Sequence, residues 1–220
     1  MLYLIFFFLE LILLYFLAKR LTALIYRFFL RLTKNKNIAS YLLAIVFLPG
    51  TFVHEASHIL AALFLLVPFG EVEFLPQVQE DGIKLGSVGI AKVDPVRRFL
   101  IGVAPFIVGA LLILGGLYYL SQNNLSLNPY YMLITGYLIF AIGNTMFTSK
   151  KDLEGALELF ILVAIIFGLG YLLEIRLPIL DERIVLSKEL IMAFKTSDLF
   201  LIIPLTIDSL IVIIFKFLKL

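Results

Sequence analysis

The sequence predicts an all-α integral membrane protein of about six transmembrane helices, with a small β-hairpin at the membrane surface between the second and third helices. Of the 220 residues 62% are hydrophobic and 15% are charged, and the mean hydropathy is +1.06. These values are typical of multi-pass membrane proteins, and we expect one polytopic domain, 1–220, in the lipid bilayer of a prokaryotic cell membrane. The net charge of +2 is too small to indicate a nucleic-acid partner.

The first 37 residues divide into an apolar half and a basic half. Leu2 to Leu17 is apolar except for Glu10. Because no positive charge precedes this run and no small-residue cleavage site follows it, we interpret it as a retained transmembrane helix rather than a signal peptide. Residues 19–37 carry six basic residues and no acidic one. This composition predicts an amphipathic helix in the headgroup layer, or alternatively a basic extension of the first helix.

The second apolar run, Ile38 to Phe69, contains the only two histidines of the chain, in the order His54-Glu55-Ala56-Ser57-His58. In a helix His54 and His58 are one turn apart and project from the same face. Two imidazoles at this spacing can share a zinc ion, and the carboxylate of Glu55 is a candidate general base. The alternative is a pair of core histidines beside an exposed glutamate. Ionisable groups within an apolar span are costly and usually indicate a functional site.

A change of pattern follows the motif, because Gly70 to Val93 alternates polar and apolar residues around the turn signal Asp81-Gly82. This segment predicts a β-hairpin whose open edge can accept an extended peptide by strand addition, or alternatively a polar connector. Further apolar runs predict the remaining spans, and a short surface helix is expected at 187–194. The predicted spans are Phe99–Leu120, Pro129–Phe147, Leu157–Leu173 and Leu199–Phe215.

A catalytic zinc usually has three protein ligands and one open position. The chain contains no cysteine and both histidines are already used, so the third ligand must be a carboxylate. Chemistry alone does not rank the candidates. They are Glu10, Asp94, Asp152, Glu154, Glu158 and Asp208. For Asp208, which follows Pro204 in the last span, a hydrogen bond between helices is the favoured interpretation.

The histidine motif lies within an apolar span and is followed by a β-rich segment. A helix that opens with Gly102-Val103-Ala104-Pro105 comes next. In these three features the chain resembles the site-2 protease family of intramembrane zinc metalloproteases. The second motif of that family has an Asn followed eight residues later by an Asp, and Asn144 and Asp152 have this spacing. The resemblance covers a metalloprotease-like core, 38–156, with accessory transmembrane helices in 157–220. It is closest to small members that lack a regulatory domain.

The resemblance implies a zinc-dependent endopeptidase that hydrolyses a peptide bond in or near a transmembrane segment of a membrane-protein substrate. It implies the following roles: Glu55 catalytic, His54, His58 and Asp152 as ligands of Zn²⁺, Glu154 and Glu158 as reserve ligands, and Asn144 holding the substrate strand or its carbonyl. The second motif departs from the family, because its proline is missing and Leu153 follows the Asp. The alternative is therefore a non-proteolytic membrane scaffold, or a metal-binding or transport protein that retains the fold.

Overall fold

The computed structural model describes residues 2–74, 77–79, 82–125, 128–146 and 188–217. The predicted ligand Asp152 and the reserve ligands Glu154 and Glu158 lie outside the described residues, as does the predicted span Leu157–Leu173. In the described ranges the chain is mostly helical, as predicted. The elements in chain order are α1 (Leu2–Thr33), α2 (Lys36–Phe64), β1 (Phe69–Glu73), β2 (Gln77–Gln79), β3 (Gly82–Lys84), β4 (Ser87–Ile90), α3 (Pro95–Gln122), α4 (Pro129–Thr145) and α5 (Lys188–Phe217).

The N-terminal region forms one helix, so the prediction of a separate amphipathic segment at 19–37 is wrong and the alternative, a basic extension of the first helix, is observed. Neither glycine nor proline interrupts α1, and the alanine, lysine and arginine that follow Leu17 are good helix formers. The helix ends where Lys34 adopts a positive φ of 52°. Asn35 then caps α2, because its side chain accepts hydrogen bonds from the backbone N–H groups of Asn37 and Ile38.

Helix α2 continues through Pro49 without ending there. Proline has no N–H, so the carbonyl of Ile45 loses its usual helical donor. The hydroxyl of Tyr137 on α4 compensates, because its oxygen lies 3.1 Å from the carbonyl oxygen of Val46 and 3.5 Å from that of Ile45. The next turn is held close to α4 by Gly50. A Cβ at this position would overlap the carbonyl of Ala141, so only glycine permits this approach.

The predicted hairpin between α2 and α3 is confirmed as an antiparallel structure in two parts. Strand β1 pairs with β4, where Phe69 lies opposite Ile90, and β2 pairs with β3. The hairpin also touches α2, because the ring of Phe74 stacks on that of Phe52 with centroids 6.0 Å apart. It therefore packs along one side of the helix that carries the histidine motif.

Two of the described helices, α2 and the Pro95–Leu120 part of α3, are long and apolar enough to cross a membrane by length and composition. This is fewer than the predicted number of about six, which remains a prediction for the chain as a whole. The prediction of a separate surface helix at 187–194 is wrong. This segment is the start of α5, which has no glycine or proline before Pro204 and continues unbroken to Phe217.

The helices pack around two apolar clusters. The first joins α1, α3, α4 and α5 through Leu14, Ile113, Ile139, Ile142, Met146, Leu201 and Leu205. The second joins α1, α2, α4 and the hairpin through Leu21, Ile25, Leu43, Phe47, Leu85, Phe140 and Ala141. The rings of Phe47 and Phe140 stack with centroids 5.4 Å apart. Tyr137, Phe140 and Thr145 of α4 lie against Val46, Phe47 and Gly50 of α2, in that order. The two helices therefore run in the same direction, and the end of α4 lies close to the histidine motif.

Candidate metal centre

Helix α2 places the whole motif in a buried position. His54, Glu55 and His58 each expose less than a tenth of their surface. The helical spacing brings the two rings together, with centroids 4.7 Å apart and planes at 86°. Their Nε2 atoms lie 3.1 Å from each other. Both imidazoles therefore direct a ring nitrogen at the same small volume.

A backbone carbonyl fixes the orientation of His58. Its Nδ1 lies 2.9 Å from the carbonyl oxygen of Ile101 on α3. A carbonyl can only accept, so Nδ1 carries the hydrogen and donates it. In the neutral ring the lone pair is then on Nε2, on the side of His54. Metal-binding histidines are held in this way by an outer hydrogen bond that sets both the tautomer and the ring direction.

The separation of the two Nε2 atoms fits a shared zinc ion. With Zn–N bonds of about 2.0–2.1 Å and tetrahedral geometry, two imidazole nitrogens lie roughly 3.3 Å apart. The distance of 3.1 Å between His54 and His58 is close to this value. The same distance also suits a hydrogen bond from one ring to the other in the protein without metal. The donor set, imidazole nitrogens with no thiolate anywhere in the chain, suits zinc bound together with a carboxylate.

Among the described residues, no His, Cys, Asp or Glu side chain completes a group of three with the two imidazoles. Of the sequence candidates, Asp94 instead pairs with Arg97 at 3.4 Å. Asp208 instead accepts a hydrogen bond from Asn144. Glu10, on α1, does not complete the group either. Asp152 and its two reserves therefore remain predictions.

Asn144 is buried at the end of α4 and faces α5. Its Nδ2 donates to the carbonyl oxygen of Phe140 at 2.9 Å and to Oδ1 of Asp208 at 2.6 Å. The interpretation of Asp208 as a hydrogen-bond partner between helices is thereby confirmed. Both amide hydrogens of Asn144 are used, and its Oδ1 is buried with no partner among the described residues. Toward a substrate Asn144 can therefore offer only an acceptor.

Sequence reasoning missed three contributors to the site: the Ile101 carbonyl, Gly86 and Thr51. A Cβ added at Gly86 would lie 2.8 Å from Oε1 of Glu55 and 2.8 Å from Cγ2 of Thr51. A glycine within a strand pattern often indicates close backbone approach, so Gly86 carried a usable signal. The Ile101 carbonyl carried none, because every residue has one.

Comparisons with protein-family models, with curated proteins and with solved structures give no match for this chain. The family resemblance therefore stays a prediction from the motifs.

Proposed function

We propose that the protein is a zinc-dependent intramembrane endopeptidase. It would hydrolyse a peptide bond in or near a transmembrane segment of a membrane-protein substrate. The observation that carries the proposal is the histidine pair: two Nε2 atoms 3.1 Å apart, one ring anchored by the Ile101 carbonyl, with Glu55 beside them on the same buried helix. His54 and His58 supply two zinc ligands and Asp152 the third, with Glu154 and Glu158 as reserves.

The surface of the bundle supports a multi-pass location in the membrane. Large apolar side chains on its outer face are strongly exposed, among them Phe64 at 86%, Leu66 at 88% and Phe217 at 84%. A surface of this kind is unfavourable in water and is typical of contact with lipid or with another protein. Together with the apolar length of α2 and α3, it supports a location in a membrane, and the number of spans stays a prediction from the sequence.

The end of α4 supports Asp152 as the third ligand. Thr145 lies against Gly50, since a Cβ at Gly50 would be 2.5 Å from its Oγ1. Gly50 is one helical turn before His54. Asp152 follows Met146 by six residues, and a chain of that length reaches up to roughly 20 Å. A segment of this length is long enough to bring a carboxylate from beyond the end of α4 to the histidine pair.

Each residue of the site has a separate role in the proposed reaction. Zinc, when bound, lowers the pKa of water to about 7 and polarises a carbonyl. Glu55 accepts the proton of the attacking water and passes it to the leaving amine. The Ile101 carbonyl keeps Nδ1 of His58 protonated, so that its Nε2 stays a donor to metal. Asn144, 1% exposed and hydrogen-bonded to Asp208, holds the end of α4 against α5.

Substrate presentation is the task that we assign to the hairpin. A transmembrane helix hides its carbonyls in its own hydrogen bonds and must unwind before it is cut. In the described structure β1 and β4 pair only with each other, which leaves an edge on each strand. Such an edge holds an unwound peptide extended by strand addition.

The test is cleavage of a transmembrane peptide by purified, zinc-loaded protein in lipid bilayers. Glu55→Gln should lower the cleavage rate by about 10²–10⁴-fold, since it removes the general base. Bound zinc should stay unchanged. Glu71→Gln, on the exposed face of β1, is the matched control. Full activity in Glu55→Gln would refute the assigned role. Zinc without cleavage in the wild type would indicate a metal-binding or transport protein, and neither zinc nor cleavage a scaffold.

A further inference from the structure

The linker between β3 and β4, Leu85–Gly86, enters the helix bundle. Leu85 is 5% exposed, although the residues that follow it, Gly86, Ser87 and Val88, are half-buried. It belongs to the apolar cluster that includes Phe47 of α2 and Phe140 of α4. A polar surface hairpin has no need to bury a leucine among three helices, so this contact anchors the linker in the bundle.

Gly86 brings the linker backbone against the proposed general base. Its missing side chain leaves room for Glu55, whose Oε1 would be only 2.8 Å from a Cβ at this position. Thr51, one turn earlier on α2, packs against the same point. A peptide segment of the protein itself therefore lies at the carboxylate that must serve the scissile peptide.

Two peptide backbones cannot occupy this position together. General-base catalysis requires the carboxylate within about 2.6–3.2 Å of the proton that it removes, directly or through one water. That proton belongs to the attacking water, so the scissile carbonyl must lie next to this water, at the carboxylate against which Gly86 already lies. The outer end of the hairpin is held as well, because Phe74 stacks on Phe52. The described arrangement is thus a closed state.

We propose that the Leu85–Gly86 linker occupies the position of the substrate strand, with Leu85 in a pocket that accepts an aliphatic substrate side chain. This inference rests on the proposed function and deepens it. Cleavage then requires the linker to withdraw from Glu55, and a bound substrate replaces both the backbone of Gly86 and the side chain of Leu85.

The absence of cysteine from the chain permits a clean test by disulfide locking. In Thr51→Cys/Gly86→Cys the two added side chains meet, because a Cβ at position 86 would be 2.8 Å from Cγ2 of Thr51; a disulfide joins Cβ atoms about 3.5–4.5 Å apart. Gln77→Cys/Lys84→Cys is the control pair, because it links β2 to β3, whose edges have no assigned role in substrate binding, without tying the hairpin to α2. The probe is a lysine-flanked Leu/Ala peptide of about 25 residues, with a central Gly-Pro-Gly that weakens its helix.

Oxidation should lower cleavage by Thr51→Cys/Gly86→Cys at least about 10-fold relative to its own reduced form, because the linker can no longer withdraw. Oxidation of the control pair should change cleavage less than about twofold by the same reasoning. If the oxidised Thr51→Cys/Gly86→Cys protein cleaves as fast as the reduced one, the inference is overturned and the proposed function stands. If the wild type does not cleave the probe at all, the proposed function itself fails.

A second measurement does not depend on activity. In the Glu55→Gln background, which cannot turn over the peptide, the probe should slow disulfide formation in Thr51→Cys/Gly86→Cys about fivefold or more by displacing the linker. A straight poly-leucine peptide without the central Gly-Pro-Gly is the control and should have no effect. Equal rates with and without the probe, under conditions where the probe binds, would contradict the inference. This readout also covers the case in which Gly86→Cys alone reduces cleavage.

Leu85→Ala tests whether loosening the linker raises or lowers cleavage. Removal of the buried side chain loosens the linker and should raise kcat/KM for the probe by about 3–10-fold, because the open state becomes more populated. A purely structural leucine would give the opposite result, a loss of cleavage together with a loss of stability. A decrease in kcat/KM in folded Leu85→Ala would therefore overturn the assignment.

Discussion

Two pairs of buried polar side chains in the described part of the bundle differ in the contacts that they make. The histidine pair, His54 and His58, directs two ring nitrogens toward each other on one helix. The amide–acid pair, Asn144 and Asp208, joins α4 to α5 by a hydrogen bond of 2.6 Å. Each would be costly in an apolar environment if it had no function or no partner. Of these two pairs, the histidine pair is the one that converges on a volume that suits an ion.

The difference shows how a binding site is distinguished from a structural contact. In the amide–acid pair both amide hydrogens of Asn144 are used within the protein. In the histidine pair, an outer hydrogen bond to Ile101 sets one ring so that its lone pair is directed at the other ring. The amide–acid pair joins two helices, whereas the histidine pair orients a ring nitrogen toward a metal position. The stability of variants of the two pairs should therefore differ in its dependence on zinc.

The largest expected effect is the loss of zinc. Ligand binding at a concentration of about 1,000 times Kd stabilises the folded state by about 4 kcal/mol. A chelator should therefore lower the free energy of unfolding of the wild type by roughly that amount. His54→Ala should remove this response, while Asn144→Leu should keep it, because the amide–acid pair binds no metal. An equal response in His54→Ala and wild type, measured by thermal unfolding in detergent, would contradict the comparison.

The next effect concerns the contact that brings α4 to the histidine pair. Gly50→Ala should destabilise by about 3 kcal/mol, because the added Cβ meets the carbonyl of Ala141, which cannot rotate away. The matched control is Gly136→Ala on α4, where a Cβ meets nothing within 4 Å. This control should be neutral or stabilising, since alanine favours a helix over glycine. Equal unfolding free energies for the two variants would show that the close approach is absent.

The two side chains of the amide–acid pair should be strongly coupled, although the loss of stability in each single variant is moderate. Either Asn144→Leu or Asp208→Leu leaves one buried polar group without its partner, at a cost of about 2 kcal/mol. The double variant removes both groups and should cost less than the sum by more than about 1 kcal/mol. Denaturant unfolding of the four proteins gives the coupling directly. Additive losses would mean that the two side chains do not interact.

The smallest effect belongs to the hydroxyl that supports α2 beside Pro49. Tyr137→Phe removes the donor to Val46 but keeps the ring, so it should cost about 1 kcal/mol. Tyr118→Phe, which changes an exposed tyrosine of α3, is the control and should have no effect. A Tyr137→Phe protein as stable as the wild type would show that the freed carbonyls are satisfied in another way.

The parts of this protein that the sequence predicted are those with a local cause. The spacing of His54 and His58 depends only on helix geometry, and the hairpin depends on alternation and a turn signal. Contacts between distant segments left no such pattern. The Asn144–Asp208 bond joins residues 64 positions apart, and the burial of Leu85 depends on helices that pack around it. The continuous α1 was one of two alternatives, because a cluster of charges is compatible with a boundary, whereas Lys19 and Arg20 favour a helix.

The central claim is that His54 and His58 share one zinc ion. X-ray absorption on the purified zinc-loaded protein tests it most directly, with metal analysis of the same sample. The account predicts one zinc per chain, with imidazole nitrogens at about 2.0–2.1 Å and oxygen from a carboxylate and water completing the site. His54→Ala and Asp152→Ala should each lower the bound zinc. A protein without stoichiometric zinc, or with zinc unchanged in His54→Ala, would contradict the account.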